Sequence, residues 1–227
     1  MKTQFQLNRQ SQKRAFTLVE LLVVMVIIAV LAGVAFPVFG NVIFTAKMNA
    51  GMQSAKQIGL ALVAYAGDHD GQYPEEKNSY DETIKTSNDA FRSLIPDYCD
   101  NEAIFVVPTS QWGSNVDGKI KTASEILKPG ENHFAFVSGI NSTSGSMKPL
   151  VVDGTDGTGF YTRDEQRKGG AWKGQKAILI RNDNSAKLVP LKGTDDHRFI
   201  PDTENEAVNM LDVGTTIGDG VKLLDPS

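Results

Sequence analysis

From Phe16 to Phe36 the chain runs for 21 residues without Lys, Arg or Asp, and the one charge in that run is Glu20. A helix rises about 1.5 Å per residue, so this stretch extends about 30 Å, the hydrocarbon thickness of a bilayer. The carboxylate inside it is the anomaly. At mid-membrane an acidic side chain costs about 2.5 to 3.5 kcal/mol, and less near the interface, so Glu20 calls for a partner. In the full-length chain the nearest cations are Lys13 and Arg14. Were the chain cut after Ala15, the new α-amine of Phe16 would lie about one helical turn from Glu20, about 6 Å along the axis.

Charge distribution orients this segment. Residues 1–15 contain Lys2, Arg9, Lys13 and Arg14 and no acid, so of the chain's net −4 the remainder carries −8. A basic flank before a spanning helix stays in the cytoplasm and sends the C-terminal part across the membrane. An acidic exported part argues against a general nucleic-acid coat and suits a soluble envelope domain. Two other readings use the same run. A secretory signal peptide could be cut at Gly33-Val34-Ala35, although its apolar region normally spans about 7 to 15 residues and Glu20 would sit inside it. A plain, uncleaved signal anchor is the second.

The octapeptide Lys13-Arg14-Ala15-Phe16-Thr17-Leu18-Val19-Glu20, followed by an unbroken apolar helix, resembles the processing site of type IV prepilins and type II secretion pseudopilins. The resemblance implies that prepilin peptidase cuts between Ala15 and Phe16 on the cytoplasmic side and methylates the Phe16 amine. It implies a bacterial inner-membrane protein with a cytoplasmic N-terminus, drawn by assembly machinery into a filament in the periplasm or on the cell surface. Glu20 then matches the acidic residue that pairs with the N-terminal amine of a neighbouring subunit. The family prefers Gly before the cut, where this chain has Ala15. Pro37, 17 residues after Glu20, matches a proline of many pilin helices, where a kink is expected. More weakly, Tyr65 to Pro74 resembles the helix exit of major, G-like pseudopilins, and Ile178 to Leu191 resembles their closing hairpin.

Beyond the run the period remains helical. Phe44, Met48, Met52, Ala55, Ile58, Leu62 and Tyr65 recur every three or four residues, which predicts a core-facing stripe on a helix reaching about Ala66. Gly67-Asp68-His69-Asp70-Gly71 stops it. The expected divisions are a basic leader at 1–15, a membrane or filament-core helix at 16–36, its amphipathic continuation at 37–67 and a globular αβ domain at 68–227. Within that domain Ser87 to Ile95 predicts a short helix closed by Pro96, and Thr122 to Glu125 a capping box for a turn or two. Strands are expected at Ala103 to Val107, His133 to Val137 and Leu150 to Val152. Asn182-Asp183-Asn184-Ser185 predicts a hairpin joining Ala177 to Arg181 with Ala186 to Leu191. Val208 to Val213 and Val221 to Leu224 are candidate edge strands. The fold class is α+β, a long N-terminal helix packed on a small antiparallel sheet.

Chemistry is sparse. The single Cys99 excludes an internal disulfide and reads as a half-buried packing residue. His69, His133 and His197 have no helical metal-ligand spacing, and they read as solvated or hydrogen-bonded side chains. No nucleophile elbow, phosphate loop or dinucleotide fingerprint is present, so neither catalysis nor an organic cofactor is expected. Asp153 and Asp156 lie on the Gly-rich stretch ending at Gly159, where carboxylates suit calcium and a plain turn suits the sequence equally. By resemblance, major pseudopilins hold calcium in a loop of this general region. Arg163, Arg167, Lys168, Trp172 and Lys173 form a basic loop with aromatics. It suits stacking on single-stranded DNA, and the competing reading is a solvated loop with Trp172 tucked onto the sheet. The favoured function is a structural filament subunit. The alternative is a minor pilin or anchored surface protein that binds DNA or another ligand through this loop.

Overall fold

The computed structural model describes residues 16–212, 216–218 and 220–227, and the side chains of residues 35–38 are not described. Lys13, Arg14 and Ala15 lie outside the described residues, as does the side chain of Pro37. The chain divides into two units, one reaching to Phe44 and one running from Thr45 to Ser227.

A 51-residue helix, α1 (Leu18–Asp68), contributes to both units. In the first unit its surface is apolar and exposed all round: Leu22, Met25, Ile28 and Leu31 are each more than half exposed. A helix that is apolar on every face lacks its burying medium, since an amphipathic helix of a soluble domain needs only one stripe. Among the described residues no single unbroken helix is long and apolar enough to cross a membrane. Leu18–Val34 and Phe39–Asp68 meet that requirement together, across a break at residues 35–38.

In the second unit the predicted stripe turns inward. Met48, Ala55, Ile58, Leu62 and Tyr65 are buried, while Gln53, Lys56 and Gln57 face solvent. Small residues every fourth position bring the helix close to the sheet. A Cβ at Gly51 would sit 3.0 Å from Ile178 Cδ1, and one at Gly59 would sit 3.0 Å from Ile180 Cγ2. The ridge Gly51, Ala55 and Gly59 therefore lies directly on the strand carrying Ile178 and Ile180. The helix closes where expected. Asp70 and Gly71 take left-handed φ of 51° and 80°, and Gly71 N–H bonds back to the Ala66 carbonyl at 2.8 Å.

The sheet is antiparallel throughout. Its strands are β1 (Phe134–Ser138), β2 (Pro149–Asp153), β3 (Lys176–Arg181), β4 (Ala186–Pro190) and β7 (Lys222–Leu224), in the order β4-β3-β2-β1-β7. A separate ribbon pairs β5 (Lys192–Thr194) with β6 (His197–Phe199). Every residue of β1 and β2 is buried, so these strands are covered on both faces, as their unbroken apolar runs require. One cover is α1. The other includes α2 (Ser87–Phe91), whose Phe91 meets Phe105 at 5.3 Å and Phe136 at 5.7 Å between ring centroids. Each such buried ring contributes about 1.5 to 3 kcal/mol of burial. Thr86 and Asp89 cap α2 reciprocally, and the buried Ser87 hydroxyl donates to the Phe134 carbonyl at 2.7 Å.

The β3–β4 hairpin forms at the predicted residues. Asn184 takes φ 59° and Arg181 N–H bonds to the Ser185 carbonyl at 3.0 Å. Asn182 beside it is a buried hub. It accepts from the Tyr73 hydroxyl at 2.9 Å and donates to the Asn141 and Ser144 carbonyls at 3.1 and 2.8 Å.

Two expected elements differ. Ala103 to Val107 is no strand: Glu102–Phe105 forms a 3-10 turn, because the Asn101 side chain accepts from Ala103 N–H at 2.9 Å and caps it. Apolar β-formers there fill the core as a short coil instead. Val208 to Asp212 carries turns and one isolated bridge from Asn209 to Pro201, with Val213 outside the described residues. Thr122 to Glu125 forms the short turn expected there, with Glu125 N–H bonded to the Thr122 carbonyl at 2.9 Å.

Candidate functional site

The N-terminus of α1 is built by two residues. The Glu20 carboxylate accepts from the Thr17 backbone N–H at 2.9 Å and from the Thr17 hydroxyl at 2.8 Å, both through Oε2. In return Glu20 N–H donates to Thr17 Oγ1 at 3.2 Å. This is a reciprocal capping box, which satisfies helix donors that otherwise have no intrahelical partner. It also answers part of what Glu20 needs in an apolar surrounding, from within its own chain. The second carboxylate oxygen, Oε1, meets no donor among the described residues. Phe16, immediately before the cap, is 82% exposed, and Leu18, Leu21, Leu22, Met25, Val26 and Ala29 line one continuous apolar face. The Thr17-x-x-Glu20 spacing is present in the sequence, so Thr17 is the capping residue that charge and hydropathy alone passed over.

Asp153 and Asp156 occupy different surroundings. Asp153 is 1% exposed, with Oδ1 at 2.9 Å from His133 Nε2 and Oδ2 accepting Ile178 N–H at 2.5 Å. It is a buried tie between β2, β3 and the residue that leads into β1. His133 stacks on Trp112, with ring centroids 5.3 Å apart. Asp156 Oδ1 accepts from Thr158 N–H, the Thr158 hydroxyl and Phe160 N–H, which closes its own turn. Asp153 thus bonds to residues distant in sequence, and Asp156 bonds within its own turn. Nearby, Asp225 accepts from Thr155 N–H and its hydroxyl at 2.7 and 2.8 Å, and burial raises its pKa above the ordinary 3.8.

The basic loop is largely answered by its own neighbours. Trp172 is 2% exposed and edge-on to His133 at 6.5 Å. A stacking platform needs an open ring face. Arg163 pairs with Asp195 at 3.0 Å, Lys173 with Glu165 at 3.0 Å, and Lys168 donates to the Pro226 carbonyl at 2.7 Å. Arg167 is exposed. Of the other histidines, His69 stacks on Tyr65 at 3.8 Å, and His197 meets Phe160 edge-on at 5.5 Å.

One cluster had no signal in the sequence. Glu102, Asp117 and Glu131 each place a carboxylate oxygen within 4.8 Å of the other two. Burial is the first cause that raises the Glu102 pKa, with the charges of Glu131 and Asp117 adding to it. Asp117 is held well below the usual carboxylate range by hydrogen bonds from Lys128 and Lys119.

Residues 10–36 match the family model for the prokaryotic N-terminal methylation motif. The chain therefore carries the prepilin-type cleavage and methylation signature, that of a type IV pilin-like or pseudopilin-like protein processed by prepilin peptidase. No curated protein and no solved structure matches the chain.

Proposed function

We infer that this chain is a structural subunit of a type IV pilus or type II secretion pseudopilus. The observation that carries the reading is the methylation motif at residues 10–36 leading into a capped helix that is apolar on every face. The leader ends at Ala15, and cleavage frees the Phe16 amine for methylation. Before assembly the apolar helix sits in the inner membrane with its basic flank in the cytoplasm. In the filament, helix-to-helix packing replaces lipid contact, and a bend at Pro37 lets the apolar half pack independently of the half that carries the sheet.

Glu20 sets the register. Thr17 holds Oε2, and Oε1 receives the methylated amine of a neighbour's Phe16. In low dielectric an amine left without a carboxylate is heavily penalised, so subunits settle where the two meet. The acidic domain faces outward. Shearing cells and pelleting the released filaments tests this: the chain is expected in the pellet, and in a strain lacking prepilin peptidase it is expected only in the membrane. Recovery of the chain in sheared filaments without the peptidase would overturn the reading.

A further inference from the structure

We propose that Glu102, Asp117 and Glu131 form a calcium site in the segment leading into β1. One oxygen from each lies within 4.8 Å of the other two, and Glu102 and Glu131 are only 2% and 4% exposed. Asp117 is exposed and forms the mouth. The ion pairs of Lys119 and Lys128 both go to Asp117, at 3.1 and 2.6 Å. The two buried acids receive backbone donors: Leu127 N–H to Glu102 Oε1 at 2.9 Å, and Lys128 N–H to Glu131 Oε2 at 2.6 Å.

That arrangement leaves one atom unanswered. Glu102 Oε2 is enclosed and has no donor within hydrogen-bond distance; apart from the backbone N–H groups of Leu127 and Gly118, the carboxylates of Glu131 and Asp117 are what lies beside the Glu102 carboxylate. Buried polar groups are almost always partnered, and a buried acid facing two other acids asks for a cation. The donors are all carboxylate oxygens, with no imidazole or thiolate, which excludes a zinc preference and selects a hard ion. They come from a 3-10 turn and two loops. Calcium accepts such irregular oxygen sets and fills the rest of its shell with water, whereas magnesium demands a tight octahedron. A cation here would tie Glu102 to Glu131, three residues before β1 begins, and fix the connection across the Phe105 side of the core. The inference does not depend on the filament reading.

The test uses the full chain in detergent micelles, stripped with chelator and titrated calorimetrically with calcium chloride. One calcium per chain is expected, with Kd of about 0.1 to 1 mM, the range of extracellular modules, and with little heat from magnesium. The buried glutamates are needed for packing, so the exposed Asp117→Asn carries the test. It is expected to weaken calcium binding at least about tenfold by removing one ligand charge, while Asp156→Asn leaves binding unchanged. The proposal is overturned by no calcium heat up to about 10 mM, well above that range, by unchanged affinity in Asp117→Asn, or by loss of binding in Asp156→Asn alone.

Discussion

Replacing Glu20 separates two roles that one carboxylate fills. Glu20→Gln keeps an oxygen that can accept from Thr17 at the 2.8 and 2.9 Å positions, so the cap survives and the charge is lost. Glu20→Ala removes both. Thr17→Val removes the hydroxyl that donates to Oε2 and accepts from Glu20 N–H, and leaves the charge. Loss of a cap costs about 0.5 to 2 kcal/mol. Breaking a buried charge pair by removing one partner costs about 3 to 5 kcal/mol, because the other charge stays uncompensated. At about 1.4 kcal/mol per tenfold, that is a factor of about 100 to 4,000 at each subunit contact. The expected order of filament yield is therefore wild type, then Thr17→Val, with Glu20→Gln and Glu20→Ala both near zero. Yield is read by shearing and immunoblot, and membrane flotation checks that insertion is unchanged. Near-normal filaments from Glu20→Gln would show that Glu20 serves the helix end alone and would refute the register argument.

Other expectations concern the globular unit. Leu62→Ala, at a fully buried site on α1, is expected to cost about 2 to 5 kcal/mol, read as a lower denaturant midpoint with an unchanged slope. Asn182→Ala leaves the Tyr73 hydroxyl and two carbonyls without their partner, and about 1 to 3 kcal/mol is expected for each buried group stranded, read by the same unfolding curve. The pKa of Asp225 is raised in the folded state, so its contribution to stability is fully present below the ordinary value of 3.8 and is lost as pH rises through the folded value. Asp225→Asn is therefore expected to be relatively more stable at neutral pH and to flatten the pH dependence in that window. Stability measured from pH 3 to 7 checks the sign, and a steeper fall in the variant would contradict it.

Periodicity made the main architecture readable. The stripe from Met48 to Tyr65 faces the core, and the strands at Phe134–Ser138, Pro149–Asp153 and Lys176–Arg181 fall on the expected apolar runs. The Asn182 to Ser185 turn announced its hairpin because Asn tolerates the left-handed backbone that the turn needs. Ala103 to Val107 misled because an apolar, β-branched run also suits a capped coil in the core, and nothing local says that Asn101 will take the Ala103 N–H. The β5–β6 ribbon is short and mostly exposed, so it carries no apolar alternation to detect. At the helix start the charge anomaly of Glu20 was visible, and Thr17 was readable through its capping spacing. The carboxylates of Glu102, Asp117 and Glu131 were not. They are separated by long, turn-rich stretches, and only the packing of those turns brings them within 4.8 Å.

The proposed function requires that the chain be processed at the Ala15 to Phe16 bond and then assembled through the helix that begins there. The mass and sequence of the N-terminal peptide of the mature protein decide it. The predicted result is a chain beginning at Phe16 with one methyl group on its amine. A full-length chain retaining residues 1–15, or a chain beginning after Ala35, would contradict it.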